Sequence, residues 1–191
     1  MNLILASASP RRKELLGLFR IPFQIRVADI DETMSSDYPA FDEVAQLSML
    51  KAAAVERDDD DVVIAADTIV VCDGRVLGKP RDEEDAVATL RLLSGREHQV
   101  MTGVTVLRGE KSTTFTEVTD ILFRELTELE IRAYVATGEP MDKAGSYGIQ
   151  GGAALFCTHL VGDYYNVMGL PVCRLGLALR EIAPELMGDM L

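Results

Sequence analysis

The chain has 191 residues, of which 48% are hydrophobic and 26% are charged, and its formal net charge is −12. Length and hydrophobic content predict one globular domain over residues 1–191, with a sizeable core. The negative charge argues against a nucleic-acid polymer as partner, because such binders need basic surfaces, and no apolar run approaches the roughly 20 residues that span a bilayer.

The first predicted elements are a buried strand at residues 3–5 and a helix that begins after Ser9. Ser9 is a typical N-cap, and Pro10 is a typical first helical residue. The first turn then carries three cations, at positions 11–13, beside the positive end of the helix dipole. Folding alone would favour Asp or Glu there, by roughly 0.3–1 kcal/mol per charge.

An anion bound at this helix N-terminus would explain where the cations lie. Unpaired backbone N–H groups and the helix dipole already favour an anion. Ser7 and Ser9 add hydroxyl donors, and Arg11 or Arg12 can hold phosphate oxygens in a bidentate way. The alternative is that all three cations project into solvent, where the penalty is small.

The next predicted elements are a strand around residues 23–27, an acidic loop over 28–39 and a helix over 40–57. Lys51 flanks the apolar stripe of the helix and is a candidate site residue, although a lysine there can also extend to water. The members of the predicted stripe are Phe41, Val44, Ala45, Ala52 and Val55.

The acidic loop has two interpretations. It is either a plain polar loop or a place where a hard cation such as Mg²⁺ is held by oxygen ligands. The candidate ligands are Glu32 and its neighbours Asp29 and Asp31, and composition does not choose between these interpretations.

The segment VVIAADTIVV predicts a central strand, because it is almost continuously apolar, and the four aspartates at 58–61 before it predict a solvated turn. Asp67 ends the most apolar run in the chain. A carboxylate there is costly unless it is paired, bound to a metal or placed at a strand end facing a cleft. Thr68 could contact the same ligand. The alternative is a structural aspartate that starts a turn.

The rest of the chain alternates strands and helices. Asp-Gly at 73–74 predicts a hairpin that leads to Lys79, a candidate site residue or an ordinary solvated lysine. The other predicted elements are a helix from Asp82 to about Gly95, two antiparallel strands around Gly109, a helix from the capping box Thr127/Glu130 to Gly138, a strand over 153–161 and a helix over 172–182. The mixture of parallel and antiparallel signals predicts a mixed α/β domain.

Two glycine-rich segments, 138–152 and 162–171, predict functional loops, because glycine allows positive φ and close approach of the backbone to a ligand. Gln150 lies in the first, and its amide can read a nucleobase edge. Neither histidine lies in a nucleophile context, so a covalent hydrolase is not expected. The three cysteines, Cys72, Cys157 and Cys173, form no CxxC motif and predict buried free thiols in a reducing cytoplasm.

Five segments together resemble, in order, the Maf family of nucleoside triphosphate pyrophosphatases. They are LASASPRRKELL, AADTIV, LGKPRD, MDKAGSYGIQG and GDYYNVMGLP, and they run over essentially the full length. Each motif alone is moderately specific, and all five in order make chance similarity implausible.

The resemblance implies a fold similar to that of the inosine triphosphate pyrophosphatases: a mixed, elongated sheet flanked by helices, with two lobes and a cleft. It implies hydrolysis between the α- and β-phosphates, with Asp67 as the family's proposed proton acceptor. The family's substrate-discriminating positions fall on Arg11, Thr68 and Gln150. The last two motifs are similar to the branch acting on dTTP and UTP, and many members are homodimers.

The resulting hypothesis is a dTTP/UTP pyrophosphatase in which basic groups hold the triphosphate and Mg²⁺ or Mn²⁺ is bound by Glu32 and Asp67. The groups expected around the phosphates are Ser7, Arg11, Arg12, Lys51 and Lys79. One alternative is the same chemistry on another nucleotide, such as 7-methyl-GTP. Another is a nucleotide-binding regulator that inhibits septum formation.

Overall fold

The computed structural model describes residues 1–27, 29–30 and 38–188. Its strands form one mixed sheet in the order β2-β1-β3-β5-β6-β7, with β4 paired to β3. β1 is parallel to both β2 and β3, whereas β4 is antiparallel to β3 and β7 is antiparallel to β6. The strands are β1 Leu3–Leu5, β2 Phe23–Ile25, β3 Val62–Cys72, β4 Arg75–Leu77, β5 Glu97–Arg108, β6 Lys111–Phe123 and β7 Cys157–Val161.

Helices flank this sheet, and the predicted α/β class is confirmed. Within the described residues, no helix combines the length and the apolar character that a membrane crossing requires. The α-helices are α1 Pro10–Gly17, α2 Ala40–Ala54, α3 Glu83–Leu93, α4 Glu128–Val135, α5 Tyr164–Met168, α6 Val172–Ile182 and α7 Pro184–Met187.

Local capping signals place these helices where they were predicted. The side chain of Ser9 caps α1, that of Asp82 caps α3, and a complete capping box between Thr127 and Glu130 begins α4. Asp73 and Gly74 both have positive φ, at 50° and 74°, as the tight hairpin between β3 and β4 requires.

Three predicted elements need correction. α2 ends at Ala54 rather than residue 57, because Val55 has extended backbone angles, and Phe41 lies exposed rather than in the buried stripe. The strand predicted over 153–161 begins only at Cys157, since residues 152–155 form a 3-10 turn. The second glycine-rich segment contains α5, which starts where the Asp163 carboxylate accepts a hydrogen bond from the N–H of Tyr165.

The chain divides into two compact units, as the two expected lobes require. Unit 1 comprises residues 1–67, 102–117 and 169–191, and unit 2 comprises residues 68–101 and 118–168. The single domain over 1–191 and the cleft stay predictions. Unit 1 contains a buried apolar cluster in which strand residues pack on the end of α2: Ile4, Ala6, Ala52, Val55, Val63 and Ala65. Unit 2 is built around an aromatic cluster of His98, Phe123, Tyr134, Tyr147 and Phe156.

Asp61 departs from the solvated turn predicted for the aspartate run. Its carboxylate is 1% exposed and accepts hydrogen bonds from the backbone N–H of Asn2 at 2.8 Å, the Asn2 amide at 2.9 Å and the N–H of Asp58 at 3.2 Å. Burial alone would raise the pKa of Asp61, but these hydrogen bonds outweigh it and lower the pKa below the usual value. The charged carboxylate therefore stabilises the fold.

We expect Asp61→Asn to lower the free energy of unfolding by about 2 kcal/mol at neutral pH, the scale of hydrogen bonds to a charged group. Because the folded pKa is depressed, this stabilisation is present above the ordinary Asp pKa and is lost as pH falls through the folded value. Urea titrations at several pH values measure both effects. Asp59→Asn, an exposed member of the same run, is the matched control, and an equal loss in that variant would contradict the assignment.

Candidate active site

The centre of the candidate site is an ion pair between Lys51 and Asp67. Lys51 lies in the last turn of α2, and its Nζ donates to Asp67 Oδ1 at 2.6 Å. The two side chains are only 12% and 15% exposed, so Lys51 does not extend to water. Removing either partner would leave the other as a mostly buried, uncompensated charge.

Asp67 lies in the middle of β3, so of the settings expected for this carboxylate the structure shows pairing, with Lys51, and not a strand end or the start of a turn. The five residues before it are buried, Asp67 and Thr68 are partly exposed, and the strand continues buried to Cys72. The ladder with β1 reaches Ile64 and the ladder with β4 begins at Val70. Asp67 and Thr68 lie between these two ladders, so a polar pair is accommodated within an apolar strand.

The predicted anion site at the start of α1 brings Ser7 and Arg12 together. Ser7 is 7% exposed, and its Oγ accepts from the backbone N–H of Ser9 and from Arg12 Nη1, both at 3.2 Å. Arg12 Nε also donates to the Gly169 carbonyl at 2.8 Å. Arg12 therefore links the loop before α1 to the start of the chain's last segment, in addition to any role with an anion.

Arg11 and Lys13 differ from Arg12. Arg11 is partly buried and makes no hydrogen bond or ion pair with the part of the chain that the structure describes, whereas Lys13 is exposed. A partly buried cation is stabilised by a counter-ion. Of the two arginines in this turn, Arg11 is therefore the one that the described residues leave unengaged.

The remaining predicted residues lie in unit 2 or outside the described residues. Lys79 and Gln150 are exposed and belong to unit 2, as does the partly exposed Thr68. The N–H of Gly145 donates to the carbonyl of Gly78, directly before Lys79, at 3.1 Å. Glu32 lies outside the described residues, and within those residues no group of three potential metal ligands is found.

Four of the five glycines in the 138–152 segment, all except Gly138, make room for the chain's own side chains; their predicted approach to a ligand stays a prediction. A Cβ on Gly151 would lie 2.0 Å from Glu139 Oε1, and one on Gly145 would lie 2.7 Å from Val70. Glu139 accepts from the Tyr134 hydroxyl at 2.9 Å and from the N–H of Gly152 at 3.1 Å. These contacts brace the backbone on both sides of Gln150.

A second contact that stabilises this segment joins His98 to Tyr147. Sequence analysis does not predict it, because the two residues are 49 positions apart. His98 Nε2 and the Tyr147 hydroxyl are 2.9 Å apart and buried. Burial lowers the pKa of His98 to about 4, although a backbone hydrogen bond involving Arg96 opposes the shift, and burial raises the pKa of Tyr147. Neutral His98 is therefore the form that the fold accommodates.

We expect the free energy of unfolding to fall as pH decreases from about 6.5 to about 4, more steeply than in a His98→Gln variant. The unfolded chain takes up a proton on His98 in this window while the folded chain resists it, so acid favours unfolding. Chemical denaturation across the window measures the slope. His159→Gln, at an exposed histidine on β7, should keep the wild-type slope, and a wild-type slope in His98→Gln would contradict the prediction.

The cysteines are free, but only Cys72 is buried. Cys157 is partly exposed and Cys173 is exposed, which corrects the expectation of three buried thiols. Cys173 lies in the first turn of α6 and is not among the buried residues of that helix.

The family model described as Maf-like protein matches residues 2–182. The chain belongs to the Maf-like protein family. Its relatives include a dTTP/UTP pyrophosphatase from Bacillus cytotoxicus, 51% identical over 93% of this chain and 94% of the relative. Another dTTP/UTP pyrophosphatase, from Bacillus cereus, is 51% identical over 94% of this chain and 95% of the relative.

Among solved structures, this Maf-family chain is similar in fold to a HAM1 protein from Coxiella burnetii. The TM-score is 0.54 with 16% sequence identity, and the likeness covers 95% of this chain and 99% of the other. The comparison shows that the two chains share a fold, in agreement with the mixed α/β class seen here.

Proposed function

We propose that this protein is a nucleoside triphosphate pyrophosphatase that converts dTTP and UTP to the monophosphate and pyrophosphate. The observation that carries the proposal is the mostly buried Lys51–Asp67 pair, on the AADTIV motif of a Maf-family chain. The names of relatives that are 51% identical over nearly the whole chain support the choice of dTTP and UTP.

In the proposed reaction, Asp67 orients a water molecule and accepts its proton while the water oxygen bonds to the α-phosphorus. The bond between that phosphorus and the oxygen bridging to the β-phosphate breaks, and pyrophosphate leaves with the bridging oxygen. Lys51 engages Asp67 Oδ1, and we assign Oδ2 to the water. A fixed carboxylate within reach of its proton donor is what general-base catalysis requires.

The negative charge of the triphosphate must also be stabilised during the reaction. We propose that Arg11, Arg12 and Ser7 hold the triphosphate at the start of α1, with Lys51 and Lys79 as further cations. Preorganised donors of this kind stabilise the charge that develops on the leaving group. Thr68 and Gln150 are proposed to distinguish the nucleotide.

A divalent cation, Mg²⁺ or Mn²⁺, is part of the proposal. Asp67 fits such an ion because a carboxylate is a hard oxygen ligand that can accept from Lys51 at Oδ1 and still contribute to a metal site. Glu32 is proposed as the second protein ligand. The ion would neutralise phosphate charge during the reaction.

We also propose that the protein is a homodimer and that it is located in the cytoplasm. The family resemblance supports the dimer, and the three free cysteines fit a reducing compartment. Sedimentation equilibrium measures the assembly directly, and a monomer at micromolar concentration would remove this part of the proposal.

The test of function is a nucleotide panel assayed for released pyrophosphate, with and without Mg²⁺ or Mn²⁺. We expect dTTP and UTP to have the highest kcat/KM and activity to need the metal. Preference for 7-methyl-GTP would assign the same chemistry to another substrate. Tight nucleotide binding with no product would favour a regulator and reject the enzyme.

A further inference from the structure

Helix α2, which carries Lys51, lies unusually close to strand β5 at Gly103. A Cβ placed on Gly103 would lie 2.2 Å from the carbonyl oxygen of Val44, 2.5 Å from its carbonyl carbon and 2.7 Å from the nitrogen of Ala45. These are backbone atoms of α2 and cannot rotate away. Only glycine allows the helix to reach its present distance from the sheet.

Hydrogen bonds between hydroxyl groups also attach α2 to the sheet close to Gly103. Ser48 Oγ donates to the carbonyl of Ala45 at 2.7 Å and lies 2.7 Å from Thr105 Oγ1, which lies 2.9 Å from Thr114 Oγ1. Each hydroxyl has one hydrogen, so the chain of donors runs from Thr114 through Thr105 to Ser48. Because Ser48 and Thr105 are buried, breaking this chain leaves an unsatisfied polar group.

Lys51 shares the side of α2 that faces these contacts. It follows Ser48 by three residues and Val44 by seven, which are the spacings of one helix face. Its target, Asp67, lies on β3, which neighbours β5 in the sheet. The distance from α2 to β5 therefore sets how far the Lys51 side chain must reach to Asp67.

We propose that Gly103 and Ser48 are positioning residues that set the 2.6 Å contact between Lys51 and Asp67. The proposal rests on the proposed function, since it assigns this contact a part in pyrophosphate release. Neither residue touches the nucleotide. Both act through the position of Lys51.

The main test is Gly103→Ala. Ordinary carbon contacts are about 3.5–4.0 Å, so the alanine pushes α2 outward by roughly 1 Å. We expect kcat for dTTP to fall by about 100-fold, the effect of such a misplacement on catalysis, with a much smaller change in KM. The matched control is Gly17→Ala, at the exposed end of α1, where a Cβ meets nothing within 4 Å.

A double-mutant cycle separates positioning from general damage. In a Lys51→Met background, measured by single-turnover kinetics at high enzyme concentration, Gly103→Ala should cost little more, because the side chain on which it acts is gone. An undiminished loss in that background overturns the proposal. So does a folded Gly103→Ala enzyme as active as Gly17→Ala.

Ser48→Ala provides the test if Gly103→Ala does not fold. We expect a smaller loss of kcat, also suppressed by Lys51→Met, and wild-type kcat in folded Ser48→Ala would overturn the proposal. A wild-type enzyme that releases no pyrophosphate from any nucleotide rejects the proposed function instead. That outcome is distinguished because it appears before any variant is made.

Discussion

Replacing Asp67 by Asn is expected to lower kcat for dTTP by about 10²–10⁴-fold, the range that a general base contributes. Asparagine keeps the size of the side chain and an oxygen for Lys51, but it cannot accept a proton from water. Nucleotide binding should persist, although weakened by the loss of one charged metal ligand, because the side chains proposed to contact the phosphates directly are unchanged. Pyrophosphate release measures the turnover, and calorimetry with a non-hydrolysable analogue measures the binding.

Asp61→Asn is the control for this experiment. Asp61 directly precedes β3 and its carboxylate is engaged by Asn2 and Asp58, so that variant should be less stable but retain kcat per folded molecule. Near-normal turnover by Asp67→Asn would remove Asp67 from the reaction. Loss of nucleotide binding in the same variant would make Asp67 a binding group and not a base.

Arg11→Ala is expected to raise the KM for dTTP by roughly 10- to 100-fold, because a hydrogen bond to a charged group is worth about 1.5–3 kcal/mol and each 1.4 kcal/mol is about tenfold. Arg11 has no partner in the described residues that its removal would disturb. Stability should therefore change little. Steady-state kinetics and thermal unfolding measure the two effects.

Lys13→Ala is the matched control for Arg11, since Lys13 is an exposed cation in the same helical turn. It should change KM by less than about twofold, as expected for a screened surface charge. Arg12→Ala should weaken substrate binding and also lower stability, because Arg12 holds Ser7 and the Gly169 carbonyl. Equal effects of Arg11→Ala and Lys13→Ala would indicate diffuse attraction and contradict a specific phosphate site.

Elements governed by short-range chemistry could be predicted closely from sequence. The caps at Ser9, Asp82 and Thr127 and the hairpin at Asp73 each depend on hydrogen bonds or backbone angles within about four residues. The order of strands and helices follows from the same local patterns. The unusual position of Asp67 is also evident from the sequence, because it is the one acidic residue within an otherwise almost entirely apolar strand segment.

The structure differs from the prediction where one local sequence pattern is compatible with more than one arrangement of side chains or backbone. Phe41 fits the apolar stripe of α2 but lies exposed, whereas the polar Ser48 is buried beside Thr105. The strand predicted over 153–161 begins only at Cys157, because residues 152–155 form a 3-10 turn. In each case the residue's surroundings depend on contacts with residues that are distant in the sequence or that no sequence motif identifies.

The sequence by itself determined the family, the caps, the sheet-forming segments and the candidate residues, because these depend on residue types and on neighbours a few positions away. Only the tertiary structure decided which of them meet. Lys51 reaches Asp67, Arg12 reaches Gly169, 157 positions away, and Gly103 admits the backbone of Val44. Such contacts depend on the distance at which helices pack on the sheet, and that distance is set jointly by side chains far apart along the chain.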